Sequence, residues 1–200
     1  PCSFPCPTKL PIEYEHQAKE LTDRCHAFGT KVFLQLTAGL GRSALPNFVS
    51  PKDMVAPTEI TNRWLPNVVC RELKTEEIES IVKAFGQAAL IGKNSGFDGI
   101  EIHAVHEGYL LDCFTMTLFN KRTDKYGGDL RGRLRFACEI VQEIKKTCGA
   151  DFPVILRFSI KSYIKAIRQG AGPGESCHEL GRDIGEAREA IPILEEAGYD

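Results

Sequence analysis

The 200-residue sequence predicts an α/β fold built on a parallel sheet. Three observations lead there. Helical apolar stripes alternate with short apolar runs, a glycine closes each stripe, and the long irregular connections each follow a strand and precede a helix.

In chain order, Leu21, Cys25 and Phe28 sit at helical spacing, Gly29 stops the run, and "KVFLQL" follows as a strand. Ile78, Ile81, Val82, Phe85 and Ala89 form a second stripe, after which "SGFD" leads into "GIEIH". Leu130, Leu134, Ala137, Ile140, Val141 and Ile144 form a third, and "CGADF" leads into "PVILRFS". Leu180, Ile184, Ala187, Ile191 and Leu194 form a fourth, ending in "AGYD". Glycine closes each stripe because it alone adopts the left-handed cap without strain. The strands are short, branched and largely apolar, as expected where helices cover both faces of a sheet. An eightfold barrel and an open doubly wound sheet both fit this periodicity.

The fourth unit stops where a strand should begin, since "EEAGYD" mirrors "KNSGFD" but nothing like "GIEIH" follows. Together with a start at Pro1, this reads as a fragment spanning residues 1–200, about half of a barrel that typically needs ~250 residues. Three excursions, residues 37–74, 103–128 and 159–178, lie on the side where such sheets place their sites.

Composition narrows the function. With 25 basic and 27 acidic residues the net charge is -2, which argues against nucleic-acid or anionic-membrane partners. No apolar run approaches the ~18 residues that a bilayer span needs. The eight cysteines are scattered and form no C-x-x-C, so free thiols in a reducing cytoplasm are expected rather than a disulfide framework or a zinc site.

The stretch "GFDGIEIHAVHEGYLLDCF" concentrates the chemistry. A zinc-protease reading fails, because Leu110 stands where H-E-x-x-H needs its second histidine. A metal held by His103, His106 and Glu101, a set of satisfied polar residues, and a catalytic loop all remain open; the strand-end position favours the loop. In "NKRTDKYGGDLRGRLRF", Asp129 is placed as a helix N-cap and Arg122 and Asp124 as loop ties. The "AGLG" glycines do not form a dinucleotide fingerprint. Gln35 and Arg157 are polar residues on strands and need partners, either within the protein or from a ligand.

These motifs resemble a known family. "HEGYLLDCFTMTLFNKRTDKYGGDLRGRL" and "PVILRFSIKSYIKA" are similar to the old yellow enzyme family of FMN-dependent barrel reductases, and within it to 2-enoate reductases and bile-acid 3-oxo-Δ4-steroid reductases. The similarity runs from Leu10 onward and implies a partial TIM (β/α)8 barrel holding roughly the third to fifth strands. It implies that Gln35 meets the pyrimidine edge of FMN and that Arg157 supports charge near the flavin N1 and O2. It implies that His103 and His106 hold the carbonyl or carboxylate oxygen of an activated alkene, and that Tyr109 protonates its α-carbon. Glu107 adds one residue to the family spacing H-x-x-H-G-Y. Leu118 stands where the dienoyl-CoA reductase branch has a substrate-binding arginine, which ranks a CoA thioester below a free acid or steroid. Relatives add an iron–sulfur domain and an FAD/NAD(P)H domain, so NADH, FAD and a 4Fe-4S cluster are implied for a longer parent. By the same resemblance the expected partners are small unsaturated acids or enones, and an oligomer is compatible. Trimethylamine-dehydrogenase-like chemistry is the rival within the family, and an inactive barrel piece is the rival outside it.

Overall fold

The computed structural model describes residues 11–167 and 169–200. Cys2, Cys6 and Leu10 lie outside the described residues.

The elements are α1 (Pro11–His26), β1 (Phe33–Thr37), β2 (Val55–Ala56), β3 (Ile60–Thr61), β4 (Val69–Glu72), α2 (Thr75–Asn94), β5 (Gly99–Ala104), α3 (Leu110–Thr115), α4 (Leu130–Cys148), β6 (Val154–Phe158), β7 (Ile164–Ala166), β8 (Gln169–Gly170) and α5 (Ile184–Ala197). The main sheet runs β1-β5-β6, with both pairs parallel. Each new strand is added on the same side of the last, so the crossovers through α2 and α4 return over one face. Accordingly α2 packs on α4, α4 on α5, and α1 on α2. A doubly wound sheet reverses its strand order and places helices on both faces. This sheet does neither, and it is built as a section of barrel wall.

The expectation that helices cover both faces is therefore corrected. Leu34, Leu36, Ile100, Ile102, Val154 and Leu156 face the helices and meet Ile78, Phe85, Leu134, Ile140 and Val141 in the main core. The alternate residues Gln35, Thr37 and Arg157 are exposed, and Glu101 and Ile155 are half-buried. One face of each strand is core and the other is the lining of the barrel.

Two helix stripes also need correction. In α1 the buried residues are Tyr14, Ala18 and Thr22, whereas Leu21 and Phe28 are exposed. Tyr14 and Ala18 pack on Phe97, and the Thr22 hydroxyl donates to Ser95 O at 2.6 Å. Those contacts select a face one residue round from the stripe that the sequence suggests. In α5, Ala187, Ala190 and Leu194 are buried, Ile184 and Ile191 are largely exposed, and Leu180 precedes the helix. The stripes of α2 and α4 are buried as read, except that Ile81 and Leu130 are half-buried at the edge of the core.

The long excursions are folded. Residues 55–72 form a small sheet in the order β2-β4-β3, with Met54, Ala56 and Cys70 in its own core. Buried Arg122 fastens it, donating to Pro57 O (2.8 Å) and Leu73 O (2.6 Å) and pairing with Asp124. Asp129 caps α4 by accepting from the Gly132 N–H at 2.8 Å. β7 and β8 form a hairpin in the third excursion. The six described cysteines are free, and no described helix is long and apolar enough to cross a membrane.

Candidate active site

The site begins with strand register. Gln35 lies opposite Glu101, and its amide N–H donates to the Glu101 carboxylate. One layer further along the lining, Thr37, His103 and Arg157 stand in a row across the three strands. Arg157 makes no hydrogen bond or salt bridge with the described residues, so its guanidinium is available to a ligand. Gln35 keeps its amide oxygen free to accept. A donor–acceptor amide and an unpaired guanidinium on one lining face match the pyrimidine edge of a flavin, whose groups both donate and accept hydrogen bonds. The residues present therefore fit FMN at this face.

At the end of β5 the chain turns sharply. His106 and Glu107 both have positive φ, 74° and 49°, a conformation that strains non-glycine residues. The turn absorbs the additional Glu107 and returns Tyr109 to the histidines. The Tyr109 ring centroid lies 4.6 Å from that of His103 and 5.6 Å from that of His106. The His103 Nε2 and His106 Nδ1 atoms share a hydrogen bond of 2.9 Å. His103 is buried and its pKa is lowered, first by burial and then by the charges of His106 and Arg157. His106 is exposed, and the Tyr109 hydroxyl makes no hydrogen bond with the described residues. The structure thus brings together all three predicted residues, with the histidines in series rather than side by side.

Buried charge holds the turn. The Glu107 N–H donates to Asp112 Oδ2 at 2.7 Å. Asp112 is fully buried, and burial pushes its carboxyl up to about 6 although Arg182 stands 3.8 Å away. Arg182, also fully buried, donates to Ser159 O (2.9 Å) and to the Thr115 hydroxyl, and lies 3.9 Å over the Phe158 ring. It ties the end of β6 to α3. From the other side, Ser43 N–H donates to Gly108 O (3.2 Å) and Leu110 N–H to Gly39 O (3.1 Å), so the loop after β1 is sewn to the same turn.

Two cavities meet at His106 and Arg63. One, of 560 Å3, is polar and reaches Arg157, Glu107, Ser159 and Lys161. The other, of 550 Å3, lies between Leu40, Leu45, Phe48 and Trp64 and the rings of His106 and Tyr109. Volumes of this size suit a small organic ligand. Burial pushes the Glu107 carboxyl up despite Arg63 and Arg42 nearby.

The structure places the three ring residues singled out from the sequence together at the end of β5, and the two strand residues on the adjoining lining face. Sequence reasoning missed Arg63, Trp64, Asp112 and Arg182. Only Asp112 carries a local signal, an acid inside the apolar run "YLLDCF". Leu118 packs with Cys113, Met116 and Phe119 in an apolar cluster. No group of three His, Cys, Asp or Glu among the described residues is arranged to hold a metal ion.

Comparison with known proteins identifies the family and the fold. The family described as NADH:flavin oxidoreductase / NADH oxidase matches residues 13–189. The chain is 59% identical to cinnamate reductase of Clostridium sporogenes over 99% of its own length and 30% of that protein. It is 36% identical to NADH oxidase of Thermoanaerobacter brockii over 90% of the chain and 25% of the relative. Among solved structures it superposes on 2-naphthoyl-CoA reductase in complex with 2-naphthoyl-CoA, with TM-score 0.76, 29% identity, and coverage of 92% of this chain and 27% of that one. A morphinone reductase complex with tetrahydroNAD gives TM-score 0.74 and 26% identity, covering 94% and 52%. These neighbours are TIM-barrel oxidoreductases, and the chain corresponds to part of one barrel. It spans less than a third of the length of the two curated relatives named.

Proposed function

The chain belongs to the NADH:flavin oxidoreductase / NADH oxidase family, and from that membership we propose that it is part of an FMN enzyme that reduces the activated C=C bond of a 2-enoate or enone with NADH. The observation that carries this reading is the packing of His103, His106 and Tyr109 at the end of β5, beside the lining face that holds Gln35 and Arg157.

Hydride for the β-carbon is the chemistry that bound FMN supplies. Gln35 and Arg157 would hold the flavin, the arginine placing positive charge beside its pyrimidine edge. Burial, then the proximity of His106 and the charge of Arg157, disfavours the cationic form of His103. In the tautomer where His103 donates its Nε2–H to His106 Nδ1, the His106 proton lies on Nε2, which becomes the donor offered to the substrate oxygen. That donor withdraws electrons from the alkene and stabilises the negative charge that develops on oxygen. The unpaired Tyr109 hydroxyl then supplies the proton for the α-carbon, completing addition of one hydride and one proton.

The name of the cinnamate reductase relative favours a free 2-enoic acid as substrate. FAD and a 4Fe-4S cluster, relaying electrons from NADH, are proposed for the remainder of a longer cytoplasmic protein. Amine oxidation is the weaker reading, because the charged edge of the apolar cavity is Arg63, which repels a cationic substrate.

Tyr109→Phe in the full-length holoenzyme tests the assignment. It keeps the ring and removes the hydroxyl. Flavin reduction by NADH should stay near the wild-type rate, while alkene reduction falls about 10²–10⁴-fold. An oxidative half-reaction within threefold of wild type removes Tyr109 from the mechanism.

A further inference from the structure

We propose that Arg63 is the anchor for the substrate carboxylate and sets the specificity of the site for free 2-enoic acids that carry an aryl group, which would lie along Trp64 and Phe48. The proposal rests on the C=C reductase reading above and deepens it.

The apolar cavity has one polar edge, made by the charged Arg63 and by His106; its remaining walls are largely Leu40, Leu45, Phe48 and Trp64. A ligand that fills it must pair a flat apolar body with a polar or anionic head. Arg63 is positioned without being consumed. Its backbone N–H donates to Arg42 O at 2.8 Å. Among the described residues its guanidinium's polar contacts are the carbonyls of His106 and Glu107, each at 3.4 Å, and the Glu107 carboxylate at 3.8 Å. Those contacts are long for a guanidinium, so the planar fork retains capacity for a carboxylate, which it grips through two parallel bonds.

The platform for the aryl group is also built in advance. Trp64 is 54% exposed, an unusual state for so large an apolar ring. Yet it is fixed: its indole N–H donates to Ser43 O at 3.0 Å and its backbone N–H to Asn62 Oδ1 at 2.8 Å. Arg63 stacks on it, with the guanidinium carbon 5.0 Å from the ring centroid. A held, exposed indole beside a held, underused guanidinium is complementary to an arylacrylate. A thioester or ketone offers no anion to Arg63 and gains less from the site.

Binding of 3-phenylpropanoate and of its methyl ester to the FMN-loaded full-length protein tests this by calorimetry, since neither contains a reducible alkene. In Arg63→Met the Kd for the acid should rise about 10–100-fold, the worth of a charge-assisted hydrogen bond. The ester Kd should move less than threefold. Arg63→Lys, which keeps the charge and loses the fork, should fall between. Equal weakening of acid and ester would overturn the proposal and leave Arg63 a prop for the 106–107 turn, and an unchanged acid Kd would overturn it too. If wild type binds the acid through Arg63 but reduces no cinnamate, the reductase reading fails and the anchor stands. If cinnamate is reduced and Arg63→Met keeps its preference for acid over ester, the anchor fails alone.

Discussion

Gly41→Ala is the sharpest probe of how the site is positioned. Gly41 has φ 52°, and a Cβ there would lie 2.6 Å from Gly108 O, 2.6 Å from Leu110 N and 2.8 Å from Leu110 Cα. All three are backbone atoms, so no side chain can swing aside. Ordinary contact begins at 3.4 Å, which requires the 108–110 segment to retreat by about 0.8 Å from its 2.6 Å approach. Tyr109 lies between the two displaced residues and must move with them. The left-handed backbone adds about 1–2 kcal/mol of strain and the overpacking about 1–3 kcal/mol, so the protein should be destabilised yet folded. A 1 Å misplacement can cost a catalytic step about 10²-fold. We therefore expect alkene reduction to slow by about 30–100-fold while NADH reduces the flavin within threefold of the normal rate, because the clash falls on Gly108 and Leu110 and not on Gln35 or Arg157. Stopped-flow measurement of both half-reactions reads this directly. In a Tyr109→Phe background the same change should add less than threefold, since both act through one hydroxyl. Full additivity, or a Gly41→Ala enzyme with normal alkene reduction, would refute the reasoning.

Arg157→Ala should lower the FMN reduction potential and slow flavin reduction more than it weakens alkene binding; an unchanged potential with a raised KM would give Arg157 to the substrate instead. The isolated 200-residue chain should bind FMN weakly or not at all, because Gln35, Thr37 and Arg157 stand exposed on an open lining face and β1 and β6 each have one unpaired edge in the main sheet. A stoichiometric yellow cofactor on that chain would contradict this. Asp124 accepts hydrogen bonds from Arg122, the Tyr126 N–H and the Thr75 hydroxyl, which hold its carboxyl at about 2, below the unfolded value. Its stabilisation is therefore present above about pH 4 and lost as pH falls through about 2. Asp124→Asn should cost about 1–2 kcal/mol at pH 7, discounted for partial exposure. The gap to wild type in chemical denaturation should close with acidification, and a gap independent of pH would exclude the carboxylate as its source.

The sequence by itself determined the order of the four long helices and the three strands of the main sheet, the closing glycines, the cap at Asp129, the ties at Arg122 and Asp124, and the placement of His103, His106 and Tyr109 where β5 opens into a loop, but not the small strands and short helix inside the excursions. These are local matters. Period 3.6 or 2 records which residues avoid water, and caps and turns are chosen by their neighbours. Tertiary structure alone decided which strand face is core. Periodicity distinguishes two faces of a strand but cannot say whether helices cover one or both, because that depends on the order in which strands join the sheet. The same limit explains α1, where the contact with Phe97 and Ser95 chose a face that three apolar residues did not mark. Arg63, Trp64 and Arg182 lie in segments with no period, and each meets its partners across many residues of chain: Arg63 reaches His106 and Glu107, Trp64 reaches Ser43, and Arg182 reaches Asp112 and Thr115. A charged or aromatic residue in a loop looks like a solvated one until the fold removes its water and supplies its partner, and long-range contact alone determines whether that happens.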